Sequence, residues 1–348
     1  MSERRARWAM WSIGSIANRV IVEMREAKGY DIVAVCSSNI DKAQDFIDKN
    51  GLSKATAYND IHEVLKRDDV DIVYVASPPW LHKEQCCQVM NAGKAVLVEK
   101  PMTLNYQDAK DIFDCAKKND VFCAEGIWTN YFPANKKMKQ WIQKGCIGEP
   151  VEAISTFGYT MSTLGADPAD VSHWGNNIKK GGGALSQFGC YDVNFAQFCF
   201  DKEPEEIFGK TQTLQIEDGS DMNTAFVLSY NGGKQHALIS CSWDAWTISD
   251  SRLSGTKGEI VVGRPFFAPF KAELLTHQNH FWYNDVSETY IDPYGETGRE
   301  GFKYEFDAVS QYVVEGKKES DDVSQAYSLR LAATMERIRN VLGMQMDK

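Results

Sequence analysis

The sequence predicts an α/β chain in two parts: a doubly wound parallel sheet over residues 1–124, then an α+β domain over 125–348 with a large open, mainly antiparallel sheet. Three observations carry this. The first part alternates short apolar strands with helical stretches at βαβ spacing. After about Glu125 the strands lengthen, alternate polar with apolar and follow one another with few helices between. The length of 348 residues accommodates about two domains, and no low-complexity linker separates them.

Arg7–Ile13 reads as the first strand. It runs into Gly14-Ser15-Ile16-Ala17, and a helix follows to about Lys28. Asp31–Cys36 is the second strand, closed by Ser37-Ser38-Asn39, with a helix over Asp41–Lys49. Ala57-Tyr58 is a short third strand, and Asn59 or Asp60 caps the next helix. Asp71–Ala76 is the fourth, ending in Ser77-Pro78-Pro79. A helix over about Leu81–Ala92 closes at Gly93. The fifth strand, Ala95–Val98, ends abruptly in Glu99-Lys100-Pro101. Asn105–Lys118 is helical and Val121–Ala124 is the sixth strand. In such a sheet the carboxyl ends of the strands lie on one edge. The turns at Gly14, Ser37, Ser77 and Lys100 therefore line one cleft.

In the second part Tyr131–Lys144 is helical, as are Ala184–Phe200, Lys303–Val314 and Val323–Leu342. Strands are expected at Val151–Met161, Gly209–Gln215, Asn223–Ser229, Gln235–Trp243 and Glu259–Val262, with Gly232-Gly233 as a hairpin turn.

Composition excludes several classes. The chain is 43% hydrophobic and 25% charged, which suits an ordinary globular protein with a real core. A formal charge of -10 argues against general nucleic-acid or anionic-membrane binding. No apolar run reaches membrane-span length, and MSERRARW has no apolar core behind its basic residues, so no secretory signal is expected. Nine cysteines without C-x-x-C spacing point to reduced thiols in a cytoplasmic protein. Six histidines without an H-x-x-x-H pair give no support for a metal site, so none is expected.

The first turn carries part of a dinucleotide fingerprint. Gly14 lets backbone approach a pyrophosphate and Ala17 allows close helix–strand packing, while Ser12 stands where the first glycine would be. A plain tight turn is the structural alternative; the strand–helix context favours a Rossmann dinucleotide site. No acid precedes Asp41 at the end of the second strand. Hydroxyl and amide groups there, with Lys42 nearby, favour NADP over NAD, although the same residues would also cap the next helix.

Taken together, Trp8–Ala17, Ser77-Pro78 with Leu81-His82, and Ala92-Gly93-Lys94 leading to Val98-Glu99-Lys100-Pro101-Met102-Thr103-Leu104 form a recognisable series. It continues through Glu125-Gly126-Ile127-Trp128-Thr129, Gly148-Glu149-Pro150, Gly181-Gly182-Gly183-Ala184-Leu185, Gly189-Cys190-Tyr191-Asp192 and Gly255-Thr256-Lys257-Gly258. The chain resembles the glucose–fructose oxidoreductase / inositol dehydrogenase (GFO/IDH/MocA) family. Its Trp128 and Tyr191 segments look most similar to the dimeric dihydrodiol dehydrogenase branch.

The resemblance implies that Lys100 hydrogen-bonds the reacting oxygen, that Glu99 helps place it, and that a cis peptide precedes Pro101. It implies Tyr191 as the second acid/base group; a phenol with a pKa of about 10 can donate to a developing alkoxide. A core tyrosine tied to backbone is the structural alternative. The expected cofactor contacts are Ser12, Ile13, Gly14, Ser15, Ile16, Ser37, Ser38, Asn39, Ser77, Pro78, His82, Glu99, Lys100 and Trp128. The expected substrate wall is Trp128, Phe157, His173, Trp174, Gln187 and Tyr191, each of which could equally be packing. The chain departs from the family pattern at four points. Gln187 replaces an aspartate, Pro79 an asparagine, Ser12 a glycine and Ser38 an arginine.

The expected function is thus an NAD(P)-dependent oxidoreductase. It moves hydride between nicotinamide and a secondary alcohol or carbonyl of a sugar, cyclic polyol or trans-dihydrodiol. The alternatives are a non-catalytic nucleotide- or sugar-binding sensor of the same fold, and a lyase or hydrolase using transient oxidation. The expected partners are a small-molecule substrate and a second copy of the chain. The resemblance implies a homodimer or homotetramer formed through the C-terminal sheet.

Overall fold

The computed structural model describes residues 4–27, 29–164, 167, 170, 172–276 and 285–344. The chain divides into two compact units, Met1–Tyr131 with Arg299–Leu329 and Phe132–Gly298 with Arg330–Lys348. This differs from the expected division at 124/125. The first unit runs on through Tyr131 and takes back a late segment of the chain.

The first unit is built on β1 (Ala6–Trp11), β2 (Tyr30–Cys36), β3 (Thr56–Tyr58), β4 (Ile72–Val75), β5 (Ala95–Glu99) and β6 (Cys123–Gly126). They form a parallel sheet in the order β3-β2-β1-β4-β5-β6, so the strand order reverses between β1 and β4. The crossovers are α1 (Ser15–Met24), α2 (Ile40–Asn50), α3 (Ile61–Leu65), α4 (His82–Asn91) and α5 (Tyr106–Asn119). Their ends follow local chemistry. Asn39, Asp60 and Asn105 cap α2, α3 and α5 by accepting the N–H of Lys42, His62 and Asp108. The central strands β4 and β5 are buried along their whole length, which suits their Val- and Ile-rich sequences.

The returning segment carries α8 (Lys303–Val314). Phe306 packs edge-on against both Trp8 and Tyr74, at 5.2 Å each. The Trp8 indole Nε1 donates to Ser310 Oγ at 2.9 Å. The core of this unit is therefore completed by residues some 300 positions after β1. Nothing in the local pattern of either segment announces that pairing.

The second unit has α6 (Pro133–Gln143), β7 (Pro150–Gly158), α7 (Cys190–Phe200), β8 (Glu206–Thr213), β9 (Asp221–Tyr230), β10 (Gln235–Ser242), β11 (Ser251–Gly255), β12 (Gly258–Val262), β13 (Lys271–Thr276) and β14 (Asp285–Ile291). The sheet order is β14-β13-β12-β11-β7-β10-β9-β8. All pairs are antiparallel except β7 with β10. Helix α7 lies on this sheet against β7 and β10, and almost every residue of it is buried. The sequence reading missed β11, β13 and β14. Every residue of β14 but Tyr290 is exposed, so it lacks the apolar alternation that marks a half-buried strand. The helix expected over Ala184–Phe200 opens with a π turn, Leu185–Gly189, before α7 begins. The last helix is α9 (Gln325–Val341). Among the described residues no helix is long and apolar enough to cross a membrane.

Candidate functional site

In the first unit the expected cofactor residues sit where β1, β2, β4 and β5 end, on the carboxyl edge of the sheet. The turn after β1 is shaped for a pyrophosphate. Ser12 takes φ 77°, the conformation a fingerprint glycine would adopt, and its N–H is anchored on Cys36 O at 3.0 Å. Gly14 has open space where a Cβ would stand. Asn18 Nδ2 donates to the carbonyls of Ile13 (3.2 Å) and Gly14 (2.9 Å), which stiffens the turn from behind. No side chain caps α1 and no acid lies in its first turn. Its first N–H groups, on Ser15 and Ile16, are thus left uncapped by side chains and suit an anion. These residues fit a dinucleotide.

At the end of β2, Ser37 N–H is bound to Tyr58 O at 3.1 Å, and Ser38 is exposed. Asn39 Oδ1 accepts Lys42 N–H at 3.1 Å, so the capping role is real. It leaves the Asn39 amide N–H₂ and the Ser38 hydroxyl as neutral donors, which suit a 2′-phosphate.

The turns after β4 and β5 are tied together by one side chain. His82 is 0% exposed, with Nε2 2.7 Å from Ser77 O and Nδ1 3.0 Å from Met102 O. Burial lowers its pKa, opposed by the carbonyls of Ser77 and Met102. His82 was expected to touch the cofactor; with both nitrogens on backbone carbonyls it instead fixes the two turns to each other. Ser77 Oγ is likewise turned to Gln85 Oε1, and Pro78 leads into a short 3₁₀ turn, Pro79–Leu81.

Lys100 follows β5, and its peptide to Pro101 is cis. Glu99, also expected to contact cofactor, faces inward. Its carboxylate accepts the Tyr74 hydroxyl and, at 3.1 Å, the Lys100 N–H. Burial pushes its pKa up, opposed by the Tyr74 hydrogen bond and the Lys100 charge. Glu99 thus holds the Lys100 backbone and also feels the Lys100 charge. Trp128, just past β6, is 4% exposed and stacks on Phe302 at 4.1 Å, so one ring face is already covered by protein.

In the second unit the structure gathers Phe157, Gln187 and Tyr191. Gly182 and Gly183 explain the run before them. A Cβ on Gly182 would collide with Gly175 O, and one on Gly183, at φ 104°, with Asp221 Oδ1. That close approach lets Asp221 accept Leu185 N–H at 2.8 Å and the Thr224 hydroxyl at 2.7 Å, which anchors the π turn. Burial pushes the Asp221 pKa up to about 6. Gln187 Nε2 donates to Gly181 O at 3.0 Å, so this amide braces the same turn. Tyr191 is buried at the start of α7, 5.8 Å from the Phe157 ring and 5.5 Å from Phe267.

Phe157 is stacked between Phe188 (4.5 Å) and Phe267 (4.2 Å). Tyr159 meets Phe157 edge-on at 5.3 Å and continues to Trp246 at 4.7 Å, and Arg264 lies over both Tyr159 and Trp246. Sequence reasoning missed Phe188, Phe267, Tyr159, Trp246 and Arg264. Single aromatics far apart in the chain carry no local signal that they share a wall. His173 and Trp174 lie on another turn and stack on each other at 6.0 Å, with His173 Nδ1 accepting Gly175 N–H at 3.1 Å. The wall beside Tyr191 is built from Phe157 and its neighbours.

Comparison with known proteins agrees with this geometry. Residues 6–127 match the family model described as "Oxidoreductase family, NAD-binding Rossmann fold", and residues 135–261 match the "GFO/IDH/MocA C-terminal domain". The trans-1,2-dihydrobenzene-1,2-diol dehydrogenase of Xenopus laevis is 28% identical over 340 residues, covering 97% of this chain and 98% of that protein. The Homo sapiens enzyme of the same name is 27% identical over 343 residues, 97% of each. Among solved structures, a 3-ketoreductase from Actinomadura kijaniata with NADP and TDP-benzene shares the fold. Its TM-score is 0.78 at 22% identity, covering 97% of this chain and 98% of that one. An aldose–aldose oxidoreductase from Caulobacter crescentus shares it at TM-score 0.82 and 20% identity, covering 98% of both.

Proposed function

The chain belongs to the GFO/IDH/MocA family of NAD(P)-binding oxidoreductases, and from that premise we propose that it interconverts a secondary alcohol and a carbonyl on a trans-dihydrodiol, cyclic polyol or sugar, with NADP as cofactor. The observation that carries the substrate class is the aromatic wall of Phe157, Phe188 and Phe267 beside Tyr191. Flat apolar faces stack on ring-shaped substrates and exclude water around the reacting carbon. The dihydrodiol dehydrogenases among the relatives support the dihydrodiol within that class.

The nicotinamide supplies the hydride chemistry when bound. The protein's own residues do the rest. The turn at Ser12–Ile16 holds the pyrophosphate. Ser37, Ser38 and Asn39 take the ribose end and its 2′-phosphate. Lys100 hydrogen-bonds the substrate oxygen and stabilises negative charge on it. Tyr191 gives a proton to that oxygen in reduction and removes one in oxidation. Gln187, neutral where relatives of this pattern carry an aspartate, holds the turn before Tyr191 and adds no charge.

The test is turnover. Lys100→Ala and Tyr191→Phe should each lower kcat roughly 10²-fold or more while NADPH still quenches tryptophan fluorescence. Variants with wild-type rates would overturn the roles. NADPH binding with no turnover over a panel of dihydrodiols, polyols and sugars would favour a sensor. A homodimer or homotetramer through the second unit's sheet, in the cytoplasm, belongs to the same proposal; a single-chain mass by light scattering would exclude the assembly.

A further inference from the structure

Behind the Lys100 turn the first unit buries three carboxyl groups. Glu99 ends β5, Glu125 lies in β6 and Glu305 in α8; they are 8%, 3% and 1% exposed. The sheet register puts Val98 opposite Glu125 and Glu99 opposite Gly126, so Glu99 and Glu125 leave the sheet on opposite faces. Gly126 makes room for the third: a Cβ there would lie 3.1 Å from Val98 O and 3.6 Å from both Glu305 Oε1 and Glu99 Cα. The three do not have the same partners. Glu99 accepts the Tyr74 hydroxyl and the Lys100 N–H. Glu125 Oε1 accepts the Met102 N–H at 2.9 Å. Glu305 Oε1 has no hydrogen-bond partner among the described residues.

We propose that Glu125 is a positioning residue for Lys100, which it holds in place by accepting the Met102 N–H from the far side of the cis-Pro101 turn. The turn is then gripped at three points: Glu99 on the Lys100 N–H, Glu125 on the Met102 N–H and His82 on the Met102 carbonyl. A lysine side chain is long and flexible, so the backbone it springs from must be fixed if its ammonium is to stay within reach of one oxygen atom. This inference rests on the role proposed for Lys100.

Glu305 and Glu99 lie on one face of the sheet and Glu125 on the other, and their charges act on one another across the strands. Burial first, then the charges of Glu99 and Glu125, hold Glu305 well above the usual carboxylate range, so it stays protonated. Burial pushes Glu125 up to about 7, opposed by the Met102 N–H and by Lys100. The other ionisable groups facing the cluster are Arg19 on α1, whose charge favours ionised Glu99, and the Tyr74, Tyr131 and Cys123 side chains. Burial raises the Tyr131 and Cys123 pKa values, so both stay neutral. Raised to about 7, Glu125 changes charge near neutrality. Once ionised it makes a charge-assisted, stronger bond to Met102 N–H.

The experiment uses the full-length protein and the variants Glu125→Gln, Glu125→Ala and Glu305→Gln. Amide exchange of the 100–104 segment is read by mass spectrometry without ligand, alongside steady-state rates. Glu125→Gln keeps an acceptor, so kcat should stay within about threefold of wild type. Its protection of 100–104 should lose the rise through pH 7 that wild type shows. Glu125→Ala should exchange that segment at least about tenfold faster and lower kcat roughly 10²-fold, with KM for the nucleotide little changed. Glu305→Gln exchanges one neutral group for another and should leave the pH of that rise as in wild type. Wild-type exchange in Glu125→Ala, or a wild-type pH profile in Glu125→Gln, would overturn the proposal. Should Glu125→Ala fail to fold, the Gln variants decide it. Exchange needs no turnover, so an inactive wild type would refute the proposed reaction and leave the exchange result to judge Glu125 by itself.

Discussion

At the scale of single residues, His82 shows how a motif residue can serve a site without touching its ligand. The ring bridges Ser77 O and Met102 O, so His82→Ala leaves two buried carbonyls without partners and a cavity between two turns. A loss of about 2–4 kcal/mol is expected in urea unfolding, with weaker NADPH binding by fluorescence. Acidity acts on the same residue. Its folded pKa lies below the ordinary 6.5, so the unfolded chain takes up the proton first and stability falls as pH drops below about 6.5. Glu125 has the opposite sign. With a folded value raised from 4.5 to about 7, it binds its proton more tightly in the folded state, and stability from this group is lost as pH rises through that window. Wild-type melting temperatures should therefore give a maximum on the acid side of neutrality, and Glu125→Gln should flatten its alkaline limb. The sequence named His82 and Glu99 as site residues because they sit at strand ends in a known order. It could not say that both point inward, since direction depends on which carbonyl or hydroxyl the fold brings alongside.

At the scale of elements, the legible parts were those whose sequence repeats the geometry. Strands β1 to β6 are apolar runs punctuated by Gly, Pro and Asn caps, and the structure reproduces them within a few residues. The π turn before α7 was hidden because no residue type demands it; it arises where Asp221 seizes the Leu185 N–H. Irregular turns of this kind often sit at functional positions, and this one aims Tyr191. Gly183→Ala tests the dependence. At φ 104° and against Asp221 the added methyl has no room. The variant should lose about 1–3 kcal/mol in urea unfolding, and kcat should fall more than nucleotide affinity. Unchanged stability would mean that the turn is not fixed by this contact.

At the scale of the whole molecule, sequence order and spatial unit part company. Composition and alternation placed the change of architecture near residue 125, yet 299–329 belongs with the first unit. Pattern reading sees neighbours in sequence, and the contacts Trp8–Phe306, Tyr74–Phe306 and Trp8–Ser310 have no local trace. A fragment of residues 1–131 should accordingly lack a fixed tertiary signal in the near-ultraviolet, because Trp8 and Tyr74 lose their cover. Native-like ellipticity and cooperative unfolding in that fragment would contradict this.

The return of α8 to β1 has a further consequence in the order of synthesis. Chains grow from the amino end at about 5–20 residues per second. The N-terminal sheet, complete at Gly126, is thus translated well before Phe306 and Ser310, roughly 9–36 s at those rates. Throughout that interval the indole of Trp8 and the ring of Tyr74 await their cover. Residues 132–298 of the second unit are translated between the two segments of the first, and its last segment, 330–348, follows both. Each unit therefore becomes native only once its final segment is made, and the nucleotide-binding unit, translated first, waits longest with its core open.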